Sequence, residues 1–109
     1  MKILIDDQRS KDDFPGCDDV VRGFDEGISV LRSGLVDTLW LDSDLGEAFD
    51  RSGIDILRIA HKNDLLPDHI CLVTGSDSAR ECMATMLDLY GYFQDQGNWF
   101  HKKKSLSKS

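Results

Sequence analysis

Two carboxylates, Asp42 and Asp44, follow an apolar run in the stretch LWLDSDLG. A second acidic pair, Asp6 and Asp7, follows an apolar run in the opening stretch MKILIDD. Carboxylates that gather in one place repel one another, so they must either take up protons or share a cation. A hard divalent cation with oxygen ligands, such as Mg²⁺, is the simpler solution. We therefore predict a Mg²⁺ site formed by Asp6, Asp7 and Asp42.

Further polar residues extend this chemistry to phosphate. A cation held by two or three carboxylates keeps coordination positions that waters or phosphate oxygens fill. Thr74, near the end of HICLVTG, can donate to one phosphate oxygen, and Lys102 or Lys103, at the end of NWFHKK, can neutralise another. Asp42 directly ends its apolar run and is placed to attack phosphorus. Together these residue types predict a phosphoryl-transfer site with Asp42 as the phosphoacceptor.

Some of these residues have a second interpretation. Asp44 either takes part in metal binding or acid–base chemistry, or only caps the turn before Gly46. The Asp42-x-Asp44 spacing also resembles that of the haloacid-dehalogenase phosphatases, where the first acid is the nucleophile and the second protonates the leaving group. Arg9 is a candidate for binding a phosphate oxygen, and it is equally compatible with a solvated loop.

The hydrophobic pattern predicts the elements that must position these residues. Short apolar runs predict strands at 2–6, 19–23, 36–42, 69–75 and 98–102. Patterns of helical period predict helices between the later strands, beginning near Asp25, Ser52 and Ser78. Strands separated by helices favour parallel pairing with right-handed crossovers. The expected fold is an α/β, flavodoxin-like, doubly wound parallel sheet of five strands in the order 2-1-3-4-5.

This fold is expected to lack its first and last helices. The connection from 7 to 18 has no helical stripe and contains Pro15-Gly16, which indicates a loop. No helical pattern follows the last predicted strand. Because ligands of doubly wound sheets bind beyond the carboxyl ends of the strands, we expect the acidic pairs, Thr74 and the lysines to meet at that edge.

Composition narrows the setting further. The chain has 109 residues, of which 40% are hydrophobic, so we predict one domain at 1–104 and a disordered basic tail at 105–109. The net charge of −7 argues against nucleic acid as the main partner. No apolar stretch approaches the roughly 20 residues of a membrane span, and MKILIDD is unlike a signal peptide. We therefore expect a cytoplasmic protein without a membrane partner.

Four segments, IDDQR, LDSDLG, SGIDIL and SARECM, occur in the order found in a compact family of receiver-like domains, and the chain resembles that family. The family belongs to the response-regulator superfamily and is named for a proposed processing of cyclic phosphates. The resemblance spans residues 2–103. It implies receiver-type roles for Asp6 and Asp7 as the acidic pair, Asp42 as phosphoacceptor, Thr74 as hydroxyl residue and Lys102 or Lys103 as the lysine, while Arg9 matches the narrower family.

The departures from that family concern residues suited to acid–base catalysis. The strands of the family end in LDHDLG and HSxN, and the two histidines would supply acid and base for opening a cyclic phosphate. Here Ser43 replaces the first histidine, Val73 replaces the second, and Ser76 stands at the asparagine. Gly46 stands where receivers commonly have a proline. The resemblance therefore implies phosphate binding by Ser76 but weak or absent hydrolysis of cyclic phosphates.

Three functions stay open from the sequence. The first is a stand-alone receiver-like regulator that binds Mg²⁺ and a phosphoryl group, with Asp42 as the acceptor. The second is a Mg²⁺-dependent phosphoesterase that acts on a small or cyclic phosphate through Asp42 and Asp44. The third is a non-catalytic binding protein that keeps the fold and the metal site. The expected partner is a phosphodonor or a small phosphate ligand, and a protein partner stays open as well.

Overall fold

The computed structural model of this chain describes residues 1–48 and 50–103. Within them lie six strands: β1 (Lys2–Ile5), β2 (Asp19–Val21), β3 (Thr38–Leu41), β4 (His69–Leu72), β5 (Tyr92–Gln94) and β6 (Trp99–Lys102). Three α-helices accompany them: α1 (Phe24–Arg32), α2 (Gly53–Lys62) and α3 (Asp77–Leu89). The predicted basic tail at 105–109 lies outside the described residues, as does the last residue of the predicted domain.

The strands form one sheet in the order β2-β1-β3-β4-β6-β5. β1 pairs in parallel with β2 and β3, and β3 pairs in parallel with β4. This is the strand order predicted for the first four strands of a flavodoxin-like sheet. The predicted fold class, a truncated flavodoxin-like α/β domain, is therefore confirmed.

The far side of the sheet differs from the prediction. The sheet has six strands rather than five, and β6 runs antiparallel to both β4 and β5. The reason lies in YFQDQGNWF, where two aromatic runs flank a short turn that contains Gly97 at φ 60°. A turn this short joins antiparallel strands only, since parallel neighbours need a crossover of a dozen or more residues. β5 therefore has the direction expected of the last strand, and β6 turns back between β5 and β4.

All three helices pack on one face of the sheet. Side chains alternate between the two faces along a strand, so every second strand residue points into this core. The buried core includes Ile3, Ile5, Leu39, Leu41, Ile70, Leu72 and Phe100 from the strands and Ile28, Leu31, Ile56, Leu57, Met83 and Leu87 from the helices. The sheet thereby holds its polar strand ends at a fixed edge.

The opposite face carries no α-helix within the described part of the chain. A loop takes the place of the first helix, as predicted, and contains a 3₁₀ turn at Lys11–Asp13. Phe14 of this loop packs on Trp40 of β3, with ring centroids 5.7 Å apart, and Trp40 contacts Trp99 of β6 at 5.7 Å. This surface, which we call the helix-free face, is therefore formed by one loop and by strand side chains.

Helix starts were predicted with mixed success. α2 begins near Ser52 as predicted, and Ser52 and Asp55 form a capping box at its start. Asp25, near which the sequence predicts the start of α1, is not its N-cap, because the helix begins at Phe24 and its N-cap residue Gly23 provides no side-chain cap. The Glu47 carboxylate accepts the hydrogen bond of the Phe24 backbone N–H at 2.7 Å instead. A residue from a distant loop does the capping, and no local pattern indicates that.

Candidate functional site

A cleft of about 420 Å³ opens at the carboxyl ends of β1, β3 and β4. The residues that line it are Asp6, Asp7, Gln8, Arg9, Asp42, Ser43, Asp44, Thr74, Gly75 and Ser76. Seven of them are residues that the sequence predicts for the site, namely Asp6, Asp7, Arg9, Asp42, Asp44, Thr74 and Ser76. The structure therefore brings together every predicted site residue except the two lysines.

Asp6 is fully buried at the end of β1. Its Oδ1 accepts hydrogen bonds from the backbone N–H groups of Gln8 (2.8 Å) and Arg9 (3.0 Å). Its Oδ2 accepts one from the Arg9 guanidinium at 2.6 Å. Burial disfavours the charged form, but these hydrogen bonds outweigh it and hold the pKa of Asp6 below its usual value. Asp6 is therefore a fixed carboxylate that stays ionised at neutral pH.

Asp42 lies directly after β3, and 11% of its side chain is exposed. Its Oδ1 accepts the backbone N–H of Ser43 at 2.7 Å, and its Oδ2 lies 3.3 Å from the Arg9 guanidinium. Burial raises the pKa of Asp42 and the charge of Asp6 raises it further, against the smaller effects of Ser43 and Arg9. Two neighbouring carboxylates thus have opposite pKa shifts, a pattern that is common at functional sites.

Arg9 is the shared partner of these two acids. Among the described residues that line the cleft it is the one cationic side chain, and 37% of it is exposed. Arg22, which follows β2, donates to the backbone carbonyl oxygens of Asp6 (3.2 Å) and Arg9 (2.6 Å) and so fixes the loop after β1. Arg22 is not among the residues predicted for the site, and its only signal in the sequence is a basic residue at the end of a strand.

The backbone beside Asp42 is fixed by the start of α2. A Cβ at Gly53 would lie 1.8 Å from the carbonyl oxygen of Asp42. The Gly53 N–H donates to the carbonyl oxygen of Ser43 at 2.8 Å. A glycine is required here because the two backbones approach so closely. The segment SGIDIL therefore positions the end of β3.

Two buried hydroxyls join the ends of β3 and β4. The Oγ of Ser43 and the Oγ1 of Thr74 are hydrogen-bonded at 2.7 Å. Thr74 Oγ1 also accepts the backbone N–H of Ser76 at 3.1 Å, and the Arg80 guanidinium donates to the Thr74 carbonyl oxygen at 2.9 Å. Ser76 is the N-cap of α3. The place of one family histidine is thus taken by a hydroxyl pair, which we call the Ser43–Thr74 pair.

Asp44 lines the cleft and also closes a turn. Its Oδ1 accepts the backbone N–H of Gly46 at 2.9 Å, which agrees with the capping interpretation, while its acid–base role stays a prediction. Gly46 has φ 71°, and a Cβ there would lie 2.8 Å from Asp7 Oδ2. Proline, fixed near φ −65°, cannot take this conformation. The turn geometry therefore explains why Gly46 replaces the proline that receivers commonly have.

Lys102 and Lys103 do not reach the cleft. Because β6 runs antiparallel to β4, its carboxyl end lies at the opposite edge of the sheet. The backbone N–H of Lys102 donates to the carbonyl oxygen of Asp68, just before β4, and that of Lys103 donates to Gly91. The expectation that these lysines lie beside the acidic residues required a parallel last strand, and it is wrong for that reason.

Asp6, Asp7 and Asp42 form a cluster that can hold a metal ion. One carboxylate oxygen of each lies within 4.8 Å of the others. Oxygen atoms of carboxylates are the ligands that hard divalent cations prefer, so the donor set fits Mg²⁺. In residues 1–48 and 50–103, no other group of three or more histidine, cysteine, aspartate or glutamate side chains converges in this way.

The mostly parallel sheet, the missing first helix and the acidic cleft define a receiver-like α/β protein. Residues 1–89 match the family described as the cyclic-phosphate processing receiver domain, and the chain belongs to this family. The matched range contains every residue of the cleft and ends before β5. A search among curated proteins found no match, and a search among solved structures found none either. None of the helices in the described part of the chain has the length and apolar character needed to cross a membrane.

Proposed function

We propose that this chain is a receiver-like regulatory domain that binds Mg²⁺ and accepts a phosphoryl group on Asp42. The observation that carries the proposal is the position of Asp42, which ends the central strand β3 and opens into the cleft beside Asp6 and Arg9. Membership of a receiver family supports the regulatory role. The other cleft residues supply the charge and hydrogen bonds that such a site needs.

The proposed Mg²⁺ ligands are Asp6, Asp7 and Asp42. These carboxylates would hold the ion, and its charge would offset that of the phosphate oxygens. Arg9 already donates to Asp6 and Asp42, so it balances part of the negative charge of the cluster. Two of the three proposed ligands, Asp6 and Asp42, therefore already have Arg9 as a partner. For this reason we expect a modest affinity for Mg²⁺.

The reaction requires an ionised Asp42. One of its carboxylate oxygens attacks the phosphorus atom of the phosphodonor, the bond from phosphorus to the leaving group breaks, and the leaving group takes the electron pair. The product is an acyl phosphate on Asp42. Since Lys102 and Lys103 lie at the opposite edge of the sheet, we assign the cationic contact with the phosphoryl oxygens to Arg9. We assign a further hydrogen bond to the Ser43–Thr74 pair, because both hydroxyl residues line the cleft.

Incubation with acetyl phosphate or phosphoramidate in the presence of Mg²⁺ tests the proposal. We expect a labile adduct that borohydride reduction and mass spectrometry map to Asp42. Asp44→Asn is the matched control, because Asp44 is a carboxylate that lines the same cleft, and this variant should keep the adduct. An adduct on Asp44, or one that survives in Asp42→Ala, would contradict the proposal. Mg²⁺ binding without any adduct would favour a non-catalytic binding protein.

A phosphoesterase is the second candidate, because the family description refers to cyclic-phosphate processing. No histidine is among the residues that line the cleft. General acid–base catalysis typically contributes ~10²–10⁴ in rate, and Asp44 is the remaining candidate for that role. We expect weak or absent hydrolysis of 2′,3′-cyclic nucleotides, and higher hydrolysis in the double variant Ser43→His, Val73→His. Efficient turnover by the natural chain that is lost in Asp44→Asn would place this candidate first.

A further inference from the structure

Two histidines face each other on the helix-free face, at the end of the sheet away from the acidic cleft. His69 begins β4 and lies directly opposite His101 of β6 in the antiparallel ladder. Their Nδ1 atoms are 2.8 Å apart. The Nε2 of His101 lies 3.2 Å from Oδ2 of Asp95, in the turn between β5 and β6. Neither histidine has a part in the proposed phosphoryl chemistry.

The hydrogen bond to Asp95 fixes the tautomer of a neutral His101. An ionised carboxylate only accepts hydrogen bonds, so the Nε2 of His101 must donate to Asp95. The Nδ1 of a neutral His101 is therefore unprotonated and faces His69. The proton that His69 places between the two rings can instead reside on its own Nε2, because a neutral imidazole exists in both tautomers. In that tautomer both Nδ1 lone pairs face the space between the rings, and rotation of the rings would direct both towards one ion beside the line that joins the two nitrogen atoms.

We propose that His69 and His101 bind a divalent transition-metal ion through their Nδ1 atoms, with Asp95 orienting His101 from outside. With metal–nitrogen bonds of about 2.0–2.1 Å, nitrogen atoms 2.8 Å apart subtend an angle of about 84–89° at the metal. This is the angle between neighbouring ligands in the square-planar and tetragonal sites that Cu²⁺ and Ni²⁺ prefer. A tetrahedral Zn²⁺ site needs nitrogen atoms about 3.3 Å apart. The geometry therefore favours Cu²⁺ or Ni²⁺.

The surroundings of the pair support a metal ion. Histidines that bind metals usually donate their other N–H to a carboxylate or carbonyl oxygen, as His101 does to Asp95. Imidazole nitrogen favours transition metals over Mg²⁺, so this site and the acidic cluster differ in the ions they select. Within residues 1–48 and 50–103 no third histidine, cysteine, aspartate or glutamate side chain converges on the pair. Water or a small ligand would fill the remaining positions.

Titration of the full chain with Cu²⁺ in excess Mg²⁺, followed by calorimetry and tryptophan fluorescence, tests this inference. The excess Mg²⁺ competes with Cu²⁺ for the acidic cluster. The Trp99 ring is stacked on His101 at 6.2 Å, so Cu²⁺ bound there should quench its emission. We expect one Cu²⁺ per chain in the natural protein, with affinity at least tenfold lower in His69→Gln and in His101→Gln. Asp95→Asn should lower affinity by about 10–100-fold at unchanged stoichiometry.

His61→Gln is the matched control, because His61 stacks on Tyr90, away from the pair, and its loss should leave Cu²⁺ affinity unchanged. Electron paramagnetic resonance of the natural complex should show coupling to two nitrogen atoms, and one in either pair variant. Unchanged Cu²⁺ binding in both pair variants, or an equal loss of affinity in His61→Gln, would overturn the proposal. The Cu²⁺ binding would then be adventitious, and the hydrogen bond between His69 and His101 would be purely structural. Thermal unfolding without metal verifies that each variant folds, and either pair variant alone suffices for the test.

Discussion

The acidic cleft and the histidine pair lie at opposite ends of one sheet and are held in different ways. In the cleft, backbone groups fix the side chains: two N–H groups bind Asp6, and Gly53 packs against the carbonyl oxygen of Asp42. The histidine pair is held by hydrogen bonds between side chains. A group held by backbone contacts cannot move without local unfolding, whereas a ring held by side chains can rotate. We therefore expect the cleft to be preorganised and the pair to be adaptable.

The cleft and the histidine pair also differ in which parts of the chain form them. The residues of the cleft all lie within the range 1–89 that matches the receiver family, and the β5–β6 hairpin lies beyond it. By inserting β6 antiparallel to β4, the hairpin carries Lys102 and Lys103 away from Asp42. Arg9, on the loop after β1, is left as the cation of the cleft. The reversed direction of β6 therefore changes which basic residue can contact a phosphoryl group in the cleft.

The largest effect should come from Gly53→Ala. The new Cβ would lie 1.8 Å from the Asp42 carbonyl oxygen, so α2 or the end of β3 must shift. We expect a loss of about 3 kcal/mol or more in the free energy of unfolding, at or above the upper range of ordinary overpacking. Urea unfolding measures it. Gly75→Ala is the control, since a Cβ there meets no heavy atom within 4 Å. Similar losses in both variants would show that the backbone contact is not what fixes the cleft.

The sequence predicted the cleft well because strand ends in a parallel sheet share one edge, so apolar runs ending in Asp6, Asp42 and Thr74 had to converge. The hairpin was missed although its signal was present, since YFQ and NWF flank a turn with Gly97. The contacts of Arg9 with Asp6 and Asp42 could not be predicted from the sequence. They depend on the conformation of the loop after β1, which Arg22 fixes through its hydrogen bonds to backbone carbonyl oxygens. The direction of one strand then decided the position of both lysines.

The next largest effects concern the two carboxylates that Arg9 joins. Asp6→Asn replaces Oδ2, which accepts a hydrogen bond from Arg9, with an NH₂ group that can only donate. Because two donors then face each other in a buried position, we expect the free energy of unfolding to fall by about 1–3 kcal/mol. Asp42→Asn removes a buried charge that Asp6 repels. At neutral pH and without Mg²⁺, Asp42→Asn should leave the free energy of unfolding unchanged or raise it by about 1 kcal/mol. Thermal and urea unfolding of both variants check the opposite signs.

The pH dependence of these variants follows from the two pKa shifts. The pKa of Asp6 is lowered in the fold, so its stabilising effect is present above the ordinary value of 3.8 and is lost as the pH falls through the folded value. The pKa of Asp42 is raised, so ionised Asp42 destabilises the fold at neutral pH, and this effect disappears as the pH falls through its folded value. Any advantage of Asp42→Asn should therefore shrink on acidification. A pH-independent difference would contradict the assignment.

A smaller effect is expected in the Asp44–Gly46 turn, where the cost of positive φ can be separated from the contact of a new Cβ with Asp7. Gly46→Ala and Gly34→Ala both place a side chain at positive φ, 71° and 74°, which costs about 1–2 kcal/mol. Only at Gly46 would the Cβ approach Asp7, 2.8 Å from Oδ2, whereas Gly34 has open space. We expect a larger loss of stability in Gly46→Ala, and weaker Mg²⁺ binding in that variant alone, as measured by calorimetry. Equal Mg²⁺ affinities would argue against Asp7 as a ligand.

The smallest effect is expected at the two lysines. Lys102→Ala and Lys103→Ala should leave the rate of Asp42 adduct formation unchanged, because both residues lie at the opposite edge of the sheet. Arg9→Gln should slow the reaction by tenfold or more, since a single preorganised donor to a phosphoryl or oxyanion group typically contributes ~10²–10³. Rates with acetyl phosphate, with folding checked by circular dichroism, compare the three variants. A strong loss in either lysine variant with normal behaviour of Arg9→Gln would mean that the hairpin reaches the cleft in solution, and the contrast between the two ends of the sheet would then fail.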